Sequence, residues 1–186
     1  VTMEDRGMPS SVDVERAILG AVLLDNSCFW QTERLSASDF SVERHRIIYG
    51  SICSLWGDGK PIDFVTITEV LTQDDKLEKA GGVIYVTSLT DGLPRVKNIE
   101  QYVKIVMEKS RRRQFITLTA AALEEAYGNS GPIEELITRT ERNLLDVETN
   151  KNSEPKHISD IIPEADAQIK ADEKQLARRN MEIPQE

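Results

Sequence analysis

The sequence predicts an all-α chain: a compact multi-helix head, an antiparallel helical hairpin, and a linker carrying a short amphipathic helix. Three observations predict it. Apolar residues recur at helical spacing in segment after segment. Gly, Pro, Asp and Asn clusters punctuate those segments. The one strand-like run, Val83-Ile84-Tyr85-Val86, has no evident partner strand, whereas Gly82, Tyr85, Val86 and Leu89 fit one helix face.

Val1 to Pro9 has no periodicity and reads as a loose arm. Ser10 or Ser11 offers an N-cap oxygen. Val14, Ala17, Ile18, Ala21 and Val22 then form an apolar stripe, with Asp13, Glu15 and Arg16 expected outward. Asp25-Asn26-Ser27 ends that helix. Phe29, Trp30 and Leu35 suit a short one. Ser38-Asp39 opens an element whose inner face is Ile48, Ile52, Leu55 and Trp56, and Gly57-Asp58-Gly59-Lys60-Pro61 breaks it. Asp63 is placed to cap the next helix, with Ile67, Val70 and Leu71 inward. Gly81-Gly82 and Asp91-Gly92-Leu93-Pro94 are turns.

Nothing from Asn98 to Tyr127 breaks a helix, which gives a rod of about 40 Å at about 1.5 Å per residue. Gly128-Asn129-Ser130-Gly131-Pro132 stops it, and Pro132 suits the first position of the following helix. That helix carries Ile133, Leu136, Ile137, Thr140, Leu144 and Val147. So short a turn makes the two helices antiparallel. Two helices alone bury only part of their apolar faces, so self-association is expected, with Ile116, Leu123, Leu136 and Leu144 as its residues. Glu148 to His157 reads as a linker. Beyond it, Ile158, Ile161, Ile162, Ala165 and Ile169 form the docking face of a helix near 160–176, too short to be stable alone. The expected divisions are an arm at 1–9, the head at 10–94, the hairpin at 95–149 and the linker at 150–186.

Composition bounds the function. The net charge of −9 opposes general DNA binding, which depends on Lys and Arg neutralising phosphates. The run Lys109-Ser110-Arg111-Arg112-Arg113 lies in a helix, so its charges spread around the cylinder. Little direct DNA contact is expected. Acidic pairs such as Glu124-Glu125 and Glu134-Glu135 read as solvated faces. No apolar run reaches the length of a membrane span. Cys28 and Cys53 read as two buried free thiols in a reducing cytoplasm.

No catalytic, cofactor or metal residues are expected. Gly57-Asp58-Gly59-Lys60 looks superficially like a phosphate loop. However, Ser54 stands where the motif needs its first Gly, and Pro61 where it needs Ser or Thr. The two histidines, His45 and His157, lack any Cys or His at ligand spacing. His45 is expected on a polar or half-buried helix face.

Several blocks stand out in order: Pro9 to Asp25; Asp39-Phe40 with Glu43-Arg44-His45-Arg46-Ile47-Ile48-Tyr49; Gly59 to Ile67; Gly81 to Val86; Asn98-Ile99-Glu100-Gln101-Tyr102; and Ile158-Ser159-Asp160-Ile161-Ile162-Pro163-Glu164-Ala165. As an ordered set they resemble DnaB-type replicative helicases. The resemblance implies the N-terminal domain and linker of such a helicase. Hairpins would pair into dimers and form a collar as a trimer of dimers. The collar would engage primase, and the linker helix would dock on a neighbouring subunit's ATPase domain. ATP and Mg would belong to a motor domain following this chain, and the fragment itself would not be an enzyme. The alternative is a stand-alone helical adaptor without a motor.

Overall fold

The computed structural model describes residues 7–92, 99–128 and 131–149. The described residues are helical, with no strand among them. In order they form α1 (Val12–Leu24), a 3₁₀ turn (Asn26–Cys28), α2 (Phe29–Thr32), a second 3₁₀ turn (Ala37–Asp39), α3 (Glu43–Gly57), α4 (Phe64–Gln73), α5 (Gly82–Ser88), α6 (Glu100–Gly128) and α7 (Ile133–Thr149).

Helix α1 is the centre of the head. Ala17, Ile18, Leu19, Ala21 and Val22 are all buried, so the helix is covered by α3 on one side and α6 on another. The expectation that Glu15 turns outward is corrected: Glu15 is 1% exposed. Ser11 holds the cap position, but its side chain makes no bond to the helix end. At the other end Asp25 accepts from the Ser27 N–H at 2.9 Å. Asn26 then staples the head together. Its amide nitrogen donates to the Ile62 carbonyl at 2.6 Å, and its oxygen accepts from the Ile62 N–H at 2.9 Å.

Helix α3 buries Ile48, Tyr49, Ile52 and Leu55, and the Tyr49 hydroxyl donates to the Thr32 carbonyl at 2.8 Å. Burying each such aliphatic side chain contributes about 1.5–3 kcal/mol. The glycine-rich loop after α3 ends the helix as expected. Asp63 caps α4 as expected, accepting from the N–H groups of Val65 and Thr66 at 2.8 and 2.9 Å, while the Thr66 hydroxyl accepts from the Asp63 N–H at 3.0 Å. The strand-like run is helix α5. Gly81 precedes it at φ +96°, where a side chain would also sit 2.8 Å from the Tyr85 Cβ.

Helix α6 has two environments. Its first half supplies Val103 and Val106 to the head core, joined by Ile99 just before it. Past Ser110 no described residue of α6 is buried, and none of α7 is. There α6 packs on α7, with Arg139 donating to Glu125 across the hairpin. Helix α7 begins at Ile133, so Pro132 sits just before it rather than as its first residue, with its carbonyl accepting from Leu136. Both described cysteines are free, but Cys53 is exposed, because it faces away from the Ile48–Ile52–Leu55 stripe. This corrects the expectation of two buried thiols.

Candidate functional site

In the Gly57–Lys60 loop, Lys60 is paired with Asp58 at 3.0 Å on the surface. No group of three metal-ligating side chains occurs among the described residues. His157 lies outside them. His45 is fully buried rather than on a half-polar face, which corrects the expectation. Its Nδ1 lies 2.7 Å from a Glu15 carboxylate oxygen and its Nε2 lies 2.6 Å from the Tyr85 hydroxyl. A carboxylate only accepts, so Nδ1 carries the proton, and in the neutral ring Nε2 accepts from Tyr85. The other Glu15 oxygen accepts from the Ser41 N–H at 2.8 Å and the Ser41 hydroxyl at 2.6 Å. Burial pushes the Glu15 pKa up, but the bonds from His45 and Ser41 outweigh it, and the net shift is downward.

The basic run is dispersed, as its helical setting predicts. Ser110 is buried and donates to an Asp39 carboxylate oxygen at 2.6 Å. Arg113 turns into the head, donating to the carbonyls of Pro9 and Asp39. Arg112 pairs with Glu108 at 2.8 Å along the same helix. Two of the three arginines are thus engaged within the chain.

The hairpin carries the exposed apolar surface. Of the four residues expected to self-associate, Ile116 and Leu123 are 40% and 51% exposed. Leu136 and Leu144 are half-buried. The hairpin also exposes Phe115, Tyr127, Ile133, Ile137 and Leu145, with Tyr127 at 81%. Tyr127 and Leu145 were not foreseen, because each sits beside a residue that continues the apolar stripe. A cleft of about 960 Å³ opens where Met8 and Pro9 meet the hairpin, floored by Phe115, Ile116, Ala120 and Val147. The linker-helix face, Ile158, Ile161, Ile162, Ala165 and Ile169, lies outside the described residues.

The profile of one family, described as the DnaB-like helicase N terminal domain, matches residues 7–108. The chain belongs to this family. It is 33% identical over 162 residues to the replicative DNA helicase DnaC of Bacillus subtilis, covering 86% of this chain and 36% of that protein. It is 34% identical over 160 residues to the replicative DNA helicase DnaB of Geobacillus stearothermophilus, covering 85% of this chain and 35% of that one. This DnaB-family chain therefore spans about a third of the length of the curated relatives it matches. Among solved structures, the N-terminal domain of DnaB helicase from Mycobacterium tuberculosis superposes with a TM-score of 0.71 at 27% identity, over 75% of this chain and 99% of that one. A DnaB-like replicative helicase, described together with its interactions with primase, superposes with a TM-score of 0.62 at 25% identity, over 75% of this chain and 31% of that one. The all-α architecture of the described residues is that of the DnaB N-terminal domain.

Proposed function

We propose that this DnaB-family domain is the non-catalytic assembly and partner-docking part of a hexameric replicative DNA helicase. Its hairpin pairs with a second copy, the pairs build a collar as a trimer of dimers, and the collar receives primase. The observation that carries the proposal is the hairpin itself. Beyond Ser110 it buries no described residue, yet it exposes Leu123, Tyr127, Ile133 and Ile137. Apolar faces of this kind on a soluble helical hairpin are covered in an assembly. Family membership supports the helicase context, and a DnaB-like relative described with its primase interactions supports the choice of partner.

ATP and Mg belong, on this reading, to a motor domain following the linker, whose helix docks on a neighbouring subunit. Direct DNA binding by this domain is minor, since the net charge is −9 and Arg112 and Arg113 are engaged internally. A cytoplasmic setting follows from the helicase role. No helix among the described residues is long and apolar enough to cross a membrane. The test of the docking role is a titration of purified primase onto this chain, followed by light scattering. A co-eluting complex supports it; separate elution at tens of micromolar of each protein contradicts it.

A further inference from the structure

We propose that a buried hydrogen-bonded chain through the head couples the outer face of α5 to the root of the hairpin. The chain can be followed atom by atom. On α5, the Tyr85 hydroxyl lies 2.6 Å from His45 Nε2 on α3. His45 Nδ1 lies 2.7 Å from Glu15 on α1. Glu15 holds Ser41 through both its N–H and its hydroxyl. Two residues back along the same loop, Asp39 accepts from Ser110 of α6 at 2.6 Å, and its carbonyl accepts from Arg113. Arg46 clamps the intervening backbone, donating to the carbonyls of Phe40 at 2.7 Å and Ser41 at 3.1 Å.

Three of the groups in the chain are held where independent movement is costly, while Asp39 and Ser41 between them are half-buried. Glu15 is 1% exposed, His45 0% and Ser110 1%. A polar group in such surroundings that loses its partner has no water to replace it, so one displaced link strains the next. Burial pulls the Arg113 pKa down, and the nearby Glu15 charge is the first of the influences that oppose it, so Glu15 and Arg113, on either side of the loop, also feel each other through space.

The outer end of the chain is open to contact. Tyr85 is only half-buried, the Arg44 guanidinium lies over its ring at 4.0 Å, and Ile84 beside it is 85% exposed. A contact on this face that draws the Tyr85 hydroxyl from His45 leaves Nε2 without its donor and loosens the Ser36–Ser41 loop that anchors α6. The inner end sits where the hairpin leaves the head. The coupling thus gives a contact on the head a route to the hairpin's anchoring, and it operates whatever the hairpin itself binds.

The experiment is amide hydrogen exchange on the intact chain, comparing Tyr85→Phe with Ile84→Ala. Tyr85→Phe deletes one hydroxyl and keeps the ring; Ile84→Ala alters the same helix without touching the chain. Helix α5 packs on α4, so simple loosening of α5 would speed exchange in α4 first. The coupling predicts instead that Tyr85→Phe speeds exchange at residues 107–113 about fivefold or more, the order expected within one hydrogen-bond network. Ile84→Ala should leave that segment within about twofold. An unchanged hairpin root in Tyr85→Phe, or loosening of α4 equal to that of the root, overturns the proposal. A second measurement keeps the test decisive if exchange is globally fast. Unfolding equilibria of Tyr85→Phe, Ser110→Ala and the double variant should be non-additive by about fivefold. Additivity within about twofold overturns the coupling.

Discussion

Replacing Glu15 with Ala removes one carboxylate and strands three donors. His45 Nδ1, the Ser41 N–H and the Ser41 hydroxyl all point at Glu15, from 2.7, 2.8 and 2.6 Å. His45 is 0% exposed, so no solvent reaches it. Leaving a buried donor without its partner costs about 1–3 kcal/mol, so three donors stranded by the loss of one carboxylate cost about 3–5 kcal/mol together. For a domain of this size that lowers the melting temperature by roughly 10 °C. Glu15→Gln keeps the shape and one acceptor, so it should cost less. The same pair sets an acid limit. The folded pKa of Glu15 lies below its ordinary value of 4.5, so its contribution is fully present above 4.5 and is lost as pH falls through the folded value. The gap between the native chain and Glu15→Gln should therefore narrow below pH 4.5. Urea unfolding followed by circular dichroism at several pH values measures both effects. A cost below about 1 kcal/mol for Glu15→Ala would refute the reasoning, since that is the yield of an ordinary solvent-exchangeable hydrogen bond. So would a gap to Glu15→Gln that does not move with acid.

Four further outcomes are expected. Leu123→Asp or Ile137→Asp should move the chain toward monomer in sedimentation while its helicity is kept, because both side chains are already exposed within the chain. Asp63→Ala should cost about 1 kcal/mol in thermal unfolding, the usual worth of an N-cap, through loss of its bonds to Val65 and Thr66. In fluorescence anisotropy at physiological salt, duplex DNA should bind weakly, and Arg113→Gln should register as lost stability rather than lost DNA affinity. The chain should release no phosphate from ATP in a coupled assay; turnover abolished by mutating this chain would contradict that.

Much of the fold was legible because its signals are local. Asp63 ahead of the Ile67, Val70 and Leu71 stripe announces a cap, Gly128 to Pro132 a stop, and the uninterrupted run to Tyr127 a single long helix. Gly82, Tyr85, Val86 and Leu89 at helical spacing, with no partner strand evident, favoured helix over strand for the run Val83 to Val86. What escaped was long-range. Periodicity assigns a charged residue between apolar ones to the solvent side, and so placed Glu15 outward. Its partner His45 is 30 residues away in sequence, and only the packing of α1 on α3 brings them together. The same blindness hid the depth of His45 and left Cys53 grouped with the core. The candidate surface was legible in part. Ile116 and Leu123 are exposed on the hairpin, whereas Leu136 and Leu144 are half-buried, because periodicity finds an apolar stripe without dividing it between an inner and an outer neighbour.

The most direct test of the assembly role is the mass of the chain in solution, by sedimentation equilibrium across a wide concentration range. The account predicts a species of at least twice the 21.0 kDa chain, shifted toward monomer by Leu123→Asp with its helical circular dichroism intact. A chain that stays monomeric at the highest concentration would contradict the account, as would one whose dimer is untouched by substitutions along the exposed hairpin.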